Sequence, residues 1–175
     1  MPNIEILKVI FSRRMLVAFL MGFSCGLPLL LTMGVLQAWM KEKGVDLTWI
    51  GMITLVQIPY TWKFIWAPFL DRYVPPFLGR RRGWMILAQL ALVAVIVGLG
   101  YSDPVENVAM MVAAAVLVAF FSASQDIVID AYRREDLADE ELGLGSSMYI
   151  YGYRLGMLLA GGGGLIMADH MPFAS

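Results

Sequence analysis

Four ionisable side chains sit where an apolar chain should carry none. Lys63, Asp126, Asp130 and Arg154 each fall inside, or at the inner end of, a long stretch of aliphatic and aromatic residues. A charge at the centre of a bilayer costs at least about 2.5–3.5 kcal/mol on insertion scales, so such groups pair or face water. They mark a candidate path for polar cargo. Asp126 and Asp130 are four apart and project from one helical face, with Gln125 beside them. A carboxylate there can carry protons, because its protonation state responds to desolvation and to an approaching cation such as Lys63 or Arg154. The structural alternative is a permanent ion pair at Asp126 and a helix cap in the headgroup region at Asp130.

Arg154 lies about 11 residues into the last apolar stretch, a depth of roughly 16 Å, near the bilayer midplane. Its planar guanidinium can grip a carboxylate through two parallel hydrogen bonds, and Tyr151, one turn away, offers a ring or a hydroxyl. A buried bridge to Asp126 is the alternative. Gly145, Gly152, Gly156 and Gly163 recur at spacings of seven, four and seven, drawing a stripe along which another helix can approach closely. Arg154 is about 200° around from Gly152, so one face is expected to pack and the other to border a polar space. Lys63 at a depth of about 10 Å and Asp126 at about 5 Å are placed to meet.

The elements that must position these groups are apolar throughout. The chain has 175 residues, 59% of them apolar and 15% charged, with a mean hydropathy of +0.71. That exceeds what a soluble core of this size uses. The apolar runs are far longer than the roughly 10-residue segments of a barrel, so the expectation is an all-α membrane protein. Five spans are expected at 15–40, 49–70, 84–101, 108–129 and 143–168. Lys8, Arg13 and Arg14 precede the first; Arg72, Arg80, Arg81 and Arg82 fill the second loop; Arg133 and Arg134 lie in the fourth. The remaining loops offer Lys41 and Lys43, so the N-terminus is expected to be cytoplasmic.

Residues 1–14 read as an amphipathic segment on the cytoplasmic surface, and the first apolar run is too long for a signal peptide. Residues 169–175 read as the start of a periplasmic loop in a truncated chain. Pro28 and Pro59 should kink their helices. Trp39, Trp49, Trp66, Trp84 and Tyr101 fall near span ends, at headgroup level. His170 is expected to be solvated in the outer loop, and Cys25 to be a small packing residue. The fourth loop, with Glu135, Asp136, Asp139, Glu140 and Glu141, reads as a solvated connector without chemistry. A net charge of −1 offers no basic surface for nucleic acid. No metal site and no cofactor are expected.

The second loop reads Ala67-Pro68-Phe69-Leu70-Asp71-Arg72, with Gly79-Arg80-Arg81 after six intervening residues. It resembles the G-x-x-x-D-R-x-G-R-R signature between helices two and three of the major facilitator superfamily, with Ala67 in place of the first glycine and a longer spacer. Together with GFSCGLPLLLTMGVLQAWM, FSASQDIVIDAYRRE and YGYRLGMLLAGG, the stretch FIWAPFLDRYVPPFLGRRRGW is similar, in order and spacing, to the AmpG muropeptide permeases of Gram-negative bacteria. The resemblance runs from about residue 16 to about residue 165.

It implies five helices of an N-terminal six-helix bundle, with the C-terminal half of the transporter as a missing partner. It also implies import of N-acetylglucosamine-1,6-anhydro-N-acetylmuramyl peptides across the inner membrane, driven by the proton-motive force. Such import feeds cell-wall recycling and β-lactamase induction. In the superfamily the loop acid and arginines brace the inner gate, a role that falls here on Asp71, Arg72 and Arg80. Arg154, Lys63, Tyr151 and Gln125 are then the expected substrate contacts, and Asp126 and Asp130 the expected proton carriers.

Other readings fit some of these residues. Interior cations suit another anionic cargo, such as acetyl-CoA, equally well. A membrane transferase could bind a divalent metal between Asp126 and Asp130, but hard cations want more oxygen ligands than two aspartates supply. An isolated set of five helices would not form a path that needs two halves.

Overall fold

The computed structural model describes residues 9–76, 79–102 and 105–170. Most of the amphipathic N-terminal segment and the last five residues lie outside these. The described residues form helices joined by short turns. Helix α1, Arg13–Leu30, opens on Ser12, whose hydroxyl accepts from the Met15 N–H at 3.4 Å. It continues through a π-turn, Leu31–Val35, into α2, Leu36–Glu42. The turn follows Pro28, which cannot donate to the preceding turn, and the Thr32 hydroxyl donates to the Pro28 carbonyl at 3.0 Å.

The second stretch is broken rather than continuous. It comprises α3 (Leu47–Met52), α4 (Ile58–Trp62) and α5 (Ala67–Arg72), joined by the 3₁₀ turns Ile53–Gln57 and Lys63–Ile65. Pro59 sits in the first turn of α4, where its missing N–H is harmless. Helix α6, Arg80–Gly100, follows Gly79, whose φ of 79° favours glycine. Helix α7 runs Val108–Asp136, seven residues beyond the expected end at Ile129. Nothing between Asp130 and Glu135 breaks a helix, so the expected fourth loop begins only after Asp136. The last stretch is α8 (Leu142–Leu158), a π-turn Leu159–Gly163, and α9 (Gly164–His170). His170 is exposed, as expected, but lies in a helical turn rather than a loop, its Nδ1 3.0 Å from the Ile166 carbonyl.

Among the described residues three continuous helices, Arg13–Glu42, Arg80–Gly100 and Val108–Asp136, are long and apolar enough to cross a membrane. The protein is an all-α, multi-pass membrane protein. Its tightest seam joins α1 to α8. A Cβ on Gly22 or Gly26 would collide with the carbonyls of Tyr149 and Tyr153, and one on Gly152 or Gly156 with those of Phe19 and Phe23. The seam is thus reciprocal, two glycines four apart on each helix, so the backbones themselves touch. Gly145 meets the Leu137 side chain, whereas Gly163 has open space around it and is no part of the seam. A second core gathers α2, the Ile53–Gln57 turn, α6 and α7 around Met40, Ile53, Val56, Leu92 and Met111. Trp39, 7% exposed, belongs to that core rather than to a headgroup belt.

Candidate functional site

Asp126 is held in the middle of this bundle. Because α7 runs to Asp136, the carboxylate stands ten residues, about 15 Å, from the helix end. It is 8% exposed, and its Oδ1 has no hydrogen-bond partner among the described residues. An unsatisfied buried carboxylate oxygen is costly. Cys25 from α1 hydrogen-bonds with the carboxylate, and Lys63 from the Lys63–Ile65 turn and Asp130 act on it electrostatically. Tyr60 from α4 and Tyr149 and Tyr153 from α8 feel its charge in turn. Cys25, 2% exposed, is thus part of the wall of this site as well as a packing residue. Lys63 is half-buried, and among the described residues no ion pair within 4.0 Å joins it to Asp126.

Asp130 behaves differently. Its side chain is 49% exposed and pairs with Arg133 at 3.1 Å on the same helix. It caps nothing, since the helix continues for six more residues. Arg133 also lies over the Tyr149 ring, 4.5 Å from its centroid. Gln125 turns away from Asp126, as residues 100° apart must. Its Nε2 donates to the Ser24 hydroxyl at 3.1 Å, and that hydroxyl donates to Gln89 Oε1 at 3.2 Å. This polar ladder joins α7, α1 and α6 at the floor of a cavity of about 340 Å³.

Arg154 and Tyr151 stand apart from both. Arg154 is exposed, and Tyr151 is 69% exposed. No described residue pairs with the guanidinium, so the alternative of a bridge to Asp126 is not realised. Gly152 and Gly156, on the opposite side of α8, are buried against α1, as the 200° separation requires. The open face of α8 is otherwise apolar, with Ile150, Leu155, Leu158 and Leu159 exposed.

The charged end of the bundle carries a brace. Arg81, with 13% of its side chain exposed, pairs with Asp71 at the end of α5 and with Glu135 in the last turn of α7, the latter at 2.8 Å. Arg80 reaches the same Glu135 at 3.2 Å and donates to the Asp71 carbonyl at 3.4 Å. Of the residues expected to form an inner gate, Asp71 and Arg80 come together, whereas Arg72 is exposed and outside the network. Arg81 and Glu135 complete it. Arg14 ties the start of α1 to Glu141 at 3.2 Å. The acidic stretch after Ile129 is therefore structural chemistry rather than a free connector.

The family model described as Acetyl-coenzyme A transporter 1 matches residues 14–171. The chain belongs to this family. Among its relatives, the anhydromuropeptide permease of Escherichia coli strain K12 is 46% identical over 165 residues, 94% of this chain and 34% of that protein. An uncharacterized protein of Haemophilus influenzae is 47% identical over 164 residues, 94% of this chain and 39% of that protein. The chain spans about a third of the length of these relatives. The resemblance to AmpG-type permeases read from the sequence holds along nearly its whole length.

Within this acetyl-coenzyme A transporter family member, the four membrane charges resolve into three settings. Asp126 is walled in, Asp130 belongs to the charged end, and Arg154 looks outward, while Lys63 acts on Asp126 from the broken second stretch. Sequence reasoning missed Gly22 and Gly26, although their spacing of four inside an apolar run is the signal that was read in α8. It also missed the tyrosines around Asp126, which single-helix periodicity cannot bring together.

Proposed function

We propose that this chain is the N-terminal part of a permease that carries anhydromuropeptides from the periplasm, across the bacterial inner membrane, into the cytoplasm. The observation that carries the reading is the 46% identity to an anhydromuropeptide permease across 94% of the chain. The N-terminus and the Arg81 brace face the cytoplasm, and a second half of the longer protein closes the path. Arg154 contacts the carboxylates of the peptide, and Tyr151 contacts its sugars or peptide backbone. An unpaired cation on the open face of a membrane helix supports this, because it needs an anion or water beside it. Asp126 takes up and releases the coupling proton, with Lys63 and Asp130 tuning its charge. Asp71, Arg80 and Arg81 brace the inner gate through Glu135. Import of this cargo serves cell-wall recycling and supplies the inducers of β-lactamase.

A second reading takes its support from the family description: the cargo is acetyl-CoA, whose phosphates would suit Arg154 equally well. Competition separates the two. Unlabelled anhydromuropeptide in excess should abolish uptake of labelled anhydromuropeptide by proteoliposomes holding the full-length permease, and acetyl-CoA should leave it unchanged. Uptake of labelled acetyl-CoA, with none of labelled anhydromuropeptide, would transfer the assignment to the second cargo.

A further inference from the structure

One aromatic ring adjoins both the Asp126 site and the charged end of the bundle. Arg133 and Asp126 are seven residues, about two turns, apart on α7. Tyr149 of α8 has Arg133 over its ring and interacts with Cys25 and Asp126. Its backbone carbonyl is pressed against Gly22, which fixes the ring's anchor point. Arg133 caps the ring at 4.5 Å and is itself held by Asp130 at 3.1 Å. The groups that face Asp126 are Cys25 of α1, Tyr60 and Lys63 of the second stretch, Tyr149 and Tyr153 of α8, and Asp130 on its own helix.

We propose that Tyr149 is the inner seal of the Asp126 site, and that Arg133, clamped between Asp130 and the Tyr149 ring, is the positioning residue that keeps the seal shut toward the charged end. This deepens the reading of Asp126 as the proton carrier and rests on it. With the seal shut, Asp126 is cut off from water at that end. When Arg133 leaves the ring, water reaches the carboxylic acid, which gives up its proton to that water and remains as carboxylate. The Tyr149 hydroxyl hydrogen-bonds with Cys25, but the contact that closes the charged end is between guanidinium and ring, and a phenylalanine ring keeps it.

The test uses the full-length permease in proteoliposomes with a pH-sensitive dye trapped inside, an imposed pH gradient and no muropeptide. Arg133→Gln and Tyr149→Leu should raise the proton leak about tenfold, the factor that loss of a partly desolvated cation–π contact produces in an opening equilibrium. Tyr149→Phe and Arg133→Lys, which keep a ring and a cation, should leak as the parent does. Adding Asp126→Asn to Arg133→Gln should abolish the excess leak, which general packing damage would not do. Arg133 is at the partly exposed end of α7, so its replacement leaves the glycine seam intact. Equal leak in parent and Arg133→Gln, or a leak in Tyr149→Phe matching that of Tyr149→Leu, would overturn the seal. Proton influx driven by added muropeptide in the parent is read separately, and its absence would sink the proposed function whatever the leak shows.

Discussion

The two faces of α8 place their neighbours in opposite circumstances. On one, Gly152 and Gly156 lie against the backbone of α1, and Tyr149 and Tyr153 are within electrostatic reach of Asp126. On the other, Arg154 and Tyr151 stand exposed beside Leu155 and Leu158. One face adjoins the buried Asp126 of α7, whereas the other carries Arg154, which has no ion-pair partner among the described residues. The difference teaches that burial and function separate here. The packed face fixes where a carboxylate sits, and the open face presents a cation to whatever adjoins it.

The comparison breaks most severely at the seam. Gly22→Ile should separate α1 from α8 and destabilise the protein by about 3 kcal/mol or more, since no side chain can yield where backbone meets backbone. Gly163→Ala, in open space, should change stability by less than about 0.5 kcal/mol. Thermal unfolding of the two variants in detergent checks the pair, and equal losses would mean that the seam does not carry the packing.

Next in size is the open face. Arg154→Ala should lower muropeptide uptake at least tenfold while leaving the unfolding temperature within error, because the side chain is exposed and no described residue forms an ion pair with it. A drop in stability as large as the drop in uptake would place Arg154 on the packed side of the comparison. The brace comes third. Arg81→Ala removes partners from Asp71 and Glu135, and should cost about 1 kcal/mol, less in high salt because both carboxylates are half exposed. Titrating unfolding against salt measures it.

The smallest effect lies outside the membrane segments. Asp46 precedes α3, and the Thr48 side chain and backbone N–H, the latter at 2.7 Å, hold its carboxyl below the usual carboxylate range. A depressed pKa means that the capping contribution is present above the ordinary aspartate value of about 4 and lost as pH falls through the lower folded value. Hydrogen exchange at the Thr48 amide should therefore speed up relative to its neighbours in acid, and the Asp46→Asn variant should show a much weaker pH response.

Much of this arrangement is readable from residue types. The depth of Arg154 and its position opposite Gly152 follow from helical geometry, and the structure leaves it exposed while burying the glycine. The cost of charge in lipid instead suggested Lys63 or Arg154 as a partner for Asp126, and among the described residues neither forms an ion pair with it within 4.0 Å. Other features depend on contacts between helices that periodicity along one helix does not encode. Glu135 joins Arg81 only because α7 outruns its apolar stretch by two turns, and charged residues after Ile129 look like a loop end. The second stretch breaks into 3₁₀ turns as it packs on α7, although Pro59 alone suggested a single kink. Trp66 looked like a headgroup anchor, yet its indole N–H donates to Ser124 inside the bundle at 3.0 Å.

The most direct test of the account is uptake of labelled anhydromuropeptide by cells that lack their own permease and make the full-length parent or its Asp126→Asn variant, with and without a protonophore. The account expects uptake by the parent that collapses with the protonophore, and loss of that protonophore-sensitive uptake in the variant despite normal membrane insertion. Protonophore-sensitive uptake of parental size in Asp126→Asn would contradict it, because the enclosed carboxylate would then have no part in coupling.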